Sequence, residues 1–593
     1  MTLYGKHINK YYIKYGIFLL IGILALIVVD WIQLYIPEYL GQIVEILDNN
    51  GDLNQIGFIA LKAFGVAVGM FLGRMLWRFS IFYAGMNTQA DIRQEMFNKA
   101  EKLSRDYYHS NKIGTIMAWF TNDLDDIEEC FGWGTVMLVD AIFLSVCVII
   151  KMFNLDLLLS IFTMIPIVLI VVWGALVEGF MAKKWSQRQE AFDKLYDFSQ
   201  ENFTGIRVIK AFVKENQEIH TFAKIARKNH DVNIGFSKIS VLFDVIIQII
   251  IALIFALLLG GGGYFVYCAF NGIKPLGFDT QLSASKLVTF TGYFDTLVWP
   301  MIALGQIVTM TARGKSALRR ISAFLDAPED IKNPENAIVL NDVKGKITFK
   351  NFTFEYKEAY KPTLKGISLE IQPGEKVGIV GKIGSGKSTL AQILLYFYNL
   401  NADQVFIDDN DLSKCDVQSI RDSIAYVPQD NFLFSDTIEN NIEFSKASPN
   451  LEEAIEAAKF AAVDDNVQDF KEKYDTMTGE RGVTLSGGQK QRISIARAYI
   501  KKSPIMILDD SVSAVDTKTE EYIMNNILEL RKGLTTLVVA SRVSTVHKLD
   551  KVIVMNAGEI EAFDTPANLL KISPTFKKMV ALQKLEAEEG GIK

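Results

Sequence analysis

Gly381–Ser388 reads GKIGSGKS; it follows the apolar run Val377–Val380 and opens a helical segment, STLAQILLYF. Strand, glycine-rich loop and helix, in that order, is the context in which G-x-x-x-x-G-K-[ST] binds phosphate. Glycines at 381, 384 and 386 let backbone N–H groups converge on an anion, and the helix N-terminus adds the positive end of its dipole. The candidate phosphate cradle is therefore Gly381, Lys382, Ile383, Gly384, Ser385, Gly386, Lys387, Ser388 and Thr389. Lys387 reaches the outer phosphates of a nucleotide, and Ser388 supplies a hydroxyl to Mg²⁺.

A second apolar run, IMIL at Ile505–Leu508, ends in Asp509 and Asp510. Asp509 closes the strand and is the natural acid behind Mg²⁺. Together with KVGIVG, SIAYVPQ and TTLVVAS, these runs alternate with helical stretches, which predicts an α/β nucleotide-binding domain.

The chain has 593 residues, more than a single core usually supports, and half of them are apolar. The apolar residues concentrate in the first 320 positions, where six segments are long enough to span a bilayer: 16–38, 57–83, 134–153, 156–179, 239–269 and 284–311. The connection 39–56 has no Lys or Arg, whereas 85–133 carries five and 180–238 carries eleven. The positive-inside rule puts the two basic connections, both termini and the soluble half in the cytosol. Helical periodicity in those connections predicts membrane helices running on into the cytosol, with tips near Tyr107–Gly114 and Asn202–Val208.

Asp30, Arg74, Arg78, Asp140, Asp244 and Asp295 fall inside the predicted spans. Charge there is costly, so these side chains face a bundle interior or wet cavity, and an acidic cavity favours cationic substrates. The formal net charge of -6 gives no reason to expect nucleic-acid binding. Cys130, Cys147, Cys268 and Cys415 are scattered and read as free thiols.

LSGGQ, Leu485–Gln489, resembles the signature motif of ATP-binding cassette proteins. Six spans followed by one cassette is the layout of an ABC exporter half-transporter, a resemblance that implies the plasma (cell inner) membrane. The expected fold is a six-helix all-α transmembrane domain (1–320), a linker (321–340), an α/β P-loop nucleotide-binding domain (341–580) and a tail (581–593). The resemblance implies a dimer in which each ATP lies between the Walker motifs of one cassette and the signature of the other. It gives Tyr356 the adenine-stacking role, and Gln429 the glutamine that approaches Mg²⁺. Ser486, Gly488 and Gln489 would address the γ-phosphate held by the partner. GERG (Gly479–Gly482) resembles the loop set against the coupling helices, and SAVD (Ser513–Asp516) the loop that communicates between sites.

Two positions depart from the family pattern. Asp510 stands where the family places the glutamate that polarises the attacking water, and Ser541, in VVASRVSTV, stands where it places a histidine. The implied catalytic set, Asp510, Gln429 and Ser541, is thus degenerate, while the metal set Ser388, Gln429 and Asp509 is intact. This pattern resembles one subunit of the bacterial heterodimeric multidrug exporters. ATP and Mg²⁺ are the expected cofactors; the expected partners are a second half-transporter, the lipid bilayer and a small amphipathic, cationic substrate. A homodimer with slow ATPase, a lipid or peptide exporter, and an ATP-gated regulatory membrane protein are the alternatives.

Overall fold

The computed structural model describes residues 3–590 other than 50, 274–281, 358, 480, 481, 483, 484 and 514. The chain divides into two compact units. One comprises Met1–Lys99 and Ile113–Asp326, the other Ala100–Lys112 and Ala327–Lys593.

The first unit is helical. Five helices are long and apolar enough to cross a membrane: Gly16–Asp48, Leu53–Ala100, Ile113–Leu155, Glu215–Phe270 and Ala284–Leu325. The remaining predicted span, 156–179, lies on the continuous helix Leu157–Thr204, of which the apolar part Leu157–Pro166 is described. Five spans therefore meet the criterion among the described residues, against the six expected. Helix Tyr35–Asp48 packs on Ala284–Leu325, and Leu157–Thr204 pairs with Glu215–Phe270. Their core is built from Phe290, Phe294 and Leu297 against Val148, Met152, Ile254 and Leu258. Phe64, Phe71 and Phe79 are exposed along Leu53–Ala100, as lipid-facing residues are.

Two acids of the predicted spans are buried, Asp30 and Asp140, and they lie next to each other. Trp299 Nε1 donates to Asp140 Oδ2 at 2.8 Å. Asp244 and Asp295 are exposed in this chain. Asp140 also begins a five-residue π-helical segment, Asp140–Leu144, which sequence periodicity did not announce. The basic lead forms helix Lys6–Lys14, held by Lys10 to Glu95 (2.6 Å) and Lys14 to Asp91 (2.5 Å).

The second unit carries ten strands among its described residues: β1 (Ile347–Phe354), β2 (Leu364–Ile371), β3 (Lys376–Gly381), β4 (Val405–Ile407), β5 (Asn410–Asp411), β6 (Ile424–Val427), β7 (Ile505–Asp509), β8 (Thr535–Val539), β9 (Lys551–Asn556) and β10 (Glu559–Asp564). An antiparallel sheet has the order β2-β1-β4-β5, and a second sheet the order β10-β9-β3-β8-β7-β6. The pairings β9-β3, β3-β8, β8-β7 and β7-β6 are parallel.

Every residue of β3, β7 and β8 is buried. Alternate side chains feed two cores: Ile379, Ile507 and Val539 face the one shared with β1 and β2, while Val380, Leu508 and Val538 face the helical one. A strand covered on both faces has no position where a polar residue is favoured, which is why these segments read as unbroken apolar runs. The parallel order also sets the site: β3 and β7 both end, at Gly381 and Asp509, on the carboxyl edge of the sheet, separated by β8.

Candidate functional site

β3 delivers the chain into the loop 381–386, and the helix Lys387–Leu394 follows. Its N-cap is Gly386, left-handed at φ +95°, with no side chain capping the helix. A Cβ at Gly386 would lie 2.8 Å from Leu364 Cδ2, so both the backbone angle and the close approach require glycine. By contrast, the α-helices of this unit that begin with a side-chain cap, among the described residues, do so on Asp416, Thr437, Asn450, Ser486, Asp516 or Thr565. Here the first-turn N–H groups are left to an external acceptor, and a phosphate is the acceptor that geometry and dipole favour.

Lys387 Nζ folds back over the loop, donating to the carbonyls of Gly381 (2.9 Å) and Lys382 (3.1 Å). Ser388 Oγ donates to Asp509 Oδ1 at 2.8 Å, and Tyr426 donates to Asp509 Oδ2 at 3.1 Å. Burial pushes the Asp509 carboxyl above the usual carboxylate range, opposed by those two hydrogen bonds. Burial likewise draws the Lys387 ammonium down, opposed by Asp510 and Asp509. A buried acid and a half-buried cation at one site, each held away from its usual range by burial, suit a ligand that brings both signs, such as a magnesium–triphosphate. The oxygen donors of Ser388 and Asp509 fit a hard ion of that kind.

The two departures meet. Ser541 Oγ donates to Asp510 Oδ1 at 3.2 Å. Asp510 is left-handed at φ +47°, its N–H bonded to the Val539 carbonyl at 2.9 Å. Its own carbonyl accepts from Ser513 Oγ (2.9 Å) and Gln491 Nε2 (3.3 Å). The backbone at Asp510 is thus held at both its polar groups, leaving no slack with which to advance the shorter carboxylate.

Other predicted residues are placed less directly. Tyr356 packs edge-on against Phe354 and Tyr398, ring centroids 5.0 and 5.4 Å away. Its hydroxyl is 2.8 Å from Thr389 Oγ1, so the residue is tied to the phosphate helix as well as half-exposed. Gln429 is exposed just past β6, and its side-chain amide makes no hydrogen bond among the described residues. Ser486 and Gln489 form a capping box on the helix Gly487–Ile500: Ser486 Oγ accepts from Gln489 N at 3.3 Å, and Gln489 Oε1 accepts from Ser486 N at 2.9 Å. Gly488 lies in that helix's first turn. In GERG, Glu480 and Arg481 lie outside the described residues, as does Ala514 of SAVD. Asp516 caps the helix Thr517–Leu530, accepting from Thr519 N at 3.0 Å. Tyr426 was missed from sequence; its place three residues before Gln429, at the end of a strand paired with β7, is the signal that finds it.

Residues 19–301 match the model of the ABC transporter transmembrane region, and residues 364–513 that of the ABC transporter. The chain is 30% identical over 594 residues to the Bacillus subtilis (strain 168) "Probable multidrug resistance ABC transporter ATP-binding/permease protein YheI", covering 99% of this chain and 98% of that one. The chain belongs to the ABC transporter family. It is likewise 30% identical over 568 residues to "Multidrug resistance-like ATP-binding protein MdlA" of Escherichia coli (strain K12), covering 95% of this chain and 94% of the other. The fold is that of a solved "bacterial Atm1-family ABC exporter with ATP bound", with TM-score 0.77, 24% identity, and coverage of 97% and 98%. This ABC half-transporter is a membrane-embedded, ATP-driven exporter whose cassette binds ATP.

Proposed function

We propose that this ABC exporter is one half of a heterodimer, with six spans and a cytosolic cassette in the plasma membrane, moving amphipathic and preferentially cationic compounds outward. Its own Walker site holds ATP and hydrolyses it slowly, and its LSGGQ completes the competent site of a second half-transporter. The observation that carries this reading is the Asp510–Ser541 contact beside an intact Ser388–Asp509 pair.

The chemistry follows from chain lengths. In the family the position of Asp510 carries glutamate; one methylene fewer withdraws the carboxylate by about 1.5 Å. A misplacement of 1 Å costs on the order of 100-fold in rate. Ser541 can hydrogen-bond to a phosphate oxygen but supplies neither the charge nor the neutral-pH proton exchange of imidazole. Positioned acid–base groups contribute about 10² to 10⁴-fold, so replacing two of them around one γ-phosphate leaves binding and removes most of the turnover.

Binding draws on different residues. The loop Gly381–Ser388 cradles the phosphates, Lys387 turns from its loop carbonyls to the outer phosphates, and Thr389 and Tyr356 close the base side. Ser388 and Asp509, with Gln429, would hold Mg²⁺, which when bound neutralises charge on the β- and γ-phosphates. The buried Asp30–Asp140 pair supports a preference for cationic substrates, because two adjacent acids in a membrane domain outnumber the one arginine, Arg74, that acts on both.

The experiment is a comparison of ATPase activity between this chain alone and this chain co-purified with a second half-transporter that carries glutamate and histidine at the corresponding positions. Low turnover alone and high turnover together is the expected result; strong turnover by the isolated chain contradicts the degenerate site.

A further inference from the structure

Past its predicted span, the helix Leu157–Thr204 continues beside the first half of Glu215–Phe270. Between the two lies a pocket of about 520 Å³, within the size range of small-molecule sites. Lys224, Arg227, Lys228 and Asp231 line it at helical spacing from one helix, and Lys184 and Gln187 from the other. Four cations thus face one acid. Asp231 Oδ1 already lies 3.2 Å from His230 Nδ1, and Glu190, one turn beyond Gln187, is held by Lys194 at 2.6 Å. Among the described residues, none of the four cations has an acid within ion-pair distance. Cations gathered round a concave surface without counter-ions focus a positive potential into it.

The depth of the pocket narrows the choice of anion. Lys184 lies five positions past the predicted span 156–179, and Gly235, which also lines the pocket, four positions before the span 239–269. At about 1.5 Å of rise per residue both stand about 6–8 Å outside the hydrocarbon, where the headgroup layer is roughly 5–7 Å thick. Their neighbours Trp185 and Phe236 pack with ring centroids 5.5 Å apart, which sets Lys184 and Gly235 level, and Arg188 lies over both rings at 5.0 and 5.2 Å. Aromatic and basic residues grouped in this way are the mark of a membrane–water interface. A helical Cα–Cβ bond tilts toward the N-terminus, which carries Lys184 toward the bilayer and Lys224, Arg227 and Lys228 away from it. We propose that this pocket binds the phosphate of an acidic phospholipid headgroup from the cytosolic leaflet, the side to which the positive-inside rule assigns these helices. Lys184 makes the direct contact, and Lys224, Arg227 and Lys228 supply the attracting field.

A basic face that served only to orient the chain would respond to charge anywhere on this helix pair, and a site for soluble phosphate would not favour a lipid. Gly235 separates a pocket from a patch. A Cβ there meets nothing within 4 Å, so Gly235→Leu fills the bilayer end of the pocket with neither a clash nor a change of charge. The full chain in a neutral detergent is titrated with phosphatidylglycerol or with phosphatidylcholine, and bound lipids are counted by native mass spectrometry. The first phosphatidylglycerol is expected to bind about tenfold tighter than phosphatidylcholine, or more. Lys184→Gln should weaken it about fivefold, the weight of one basic residue at an anionic surface, and Lys224→Gln should weaken it less. Lys184→Arg, which keeps the charge, and Lys214→Gln, which removes a charge outside the pocket, should each leave binding within about twofold. Gly235→Leu should weaken phosphatidylglycerol about tenfold and leave phosphatidylcholine unaltered. Equal affinity for the two lipids, equal losses at Lys184 and Lys214, or a silent Gly235→Leu would each overturn the proposal. Displacement of phosphatidylglycerol by inorganic phosphate would overturn it too, by making the site one for a soluble anion. None of these readouts involves nucleotide or a partner subunit, so they stand apart from the degenerate-site reading.

Discussion

At Asp510 the backbone is left-handed and pinned by Val539, Ser513 and Gln491, and the carboxylate is turned to Ser541. Asp510→Glu with Ser541→His should therefore raise hydrolysis at this chain's own Walker site by at least 100-fold, measured with the partner's competent site inactivated. Gly386→Ala should do the reverse to binding. It places a Cβ at φ +95° against Leu364, at a cost of about 1–2 kcal/mol for the backbone alone, and ATP affinity should fall at least tenfold by calorimetric titration. The phosphate loop was legible in the sequence because its chemistry is local: glycines, lysine and serine are close in the chain and act in one turn. Tyr356 was legible only by position, since its hydroxyl contact with Thr389 joins residues 33 apart. The meeting of Asp510 and Ser541 depends likewise on β7 and β8 being neighbours, which no spacing reveals.

The elements follow the same division. β3, β7 and β8 announce themselves as unbroken apolar runs because both faces are covered, and the long helices do so by length. The break at Leu34, between Gly16–Gln33 and Tyr35–Asp48, is legible from Pro37, which has no N–H for the Gln33 carbonyl, whereas no such residue announces the π-helical segment at Asp140. Gly41, on Tyr35–Asp48, meets the helix Ala284–Leu325 so closely that a Cβ would collide with Thr289 Oγ1. Gly41→Leu should cost about 1–3 kcal/mol of overpacking and lower the melting temperature of the detergent-solubilised chain.

The segment Ala100–Lys112 is tied to the rest of the cassette's compact unit where Ser104 Oγ donates to Asp330 Oδ2 at 2.7 Å. The Ser104 hydroxyl, and then Lys357, hold the Asp330 carboxyl below its usual range. A carboxyl whose folded pKa is depressed stabilises the fold above its unfolded pKa of about 3.9 and loses that contribution as pH falls through the lower, folded value. Protection factors of the amides at residues 104–110 should therefore fall on acidification below about pH 4, and less so in Ser104→Ala.

On the scale of the whole molecule, two compact units on one chain supply half of an exporter. Architecture was legible from composition, since apolar and mixed sequence separate near residue 320. The ownership of residues 100–112 by the cassette was not, because it depends on side chains such as Ser104 and Arg105 finding partners more than 200 positions away. On the proposed reading, Ser388 and Asp509 in place, with Asp510 and Ser541 facing each other, would give a site that holds ATP and turns it over slowly. The intact LSGGQ opens the helix Gly487–Ile500, and the proposal assigns it to a neighbour's ATP, for which the Ser486–Gln489 capping box would have to open. The most direct test of that division is single-turnover hydrolysis measured at this chain's Walker site and at its partner's, in one reconstituted complex. Slow hydrolysis here, with long-lived bound ATP, beside fast hydrolysis at the partner's site is predicted; equal rates at the two sites would contradict it.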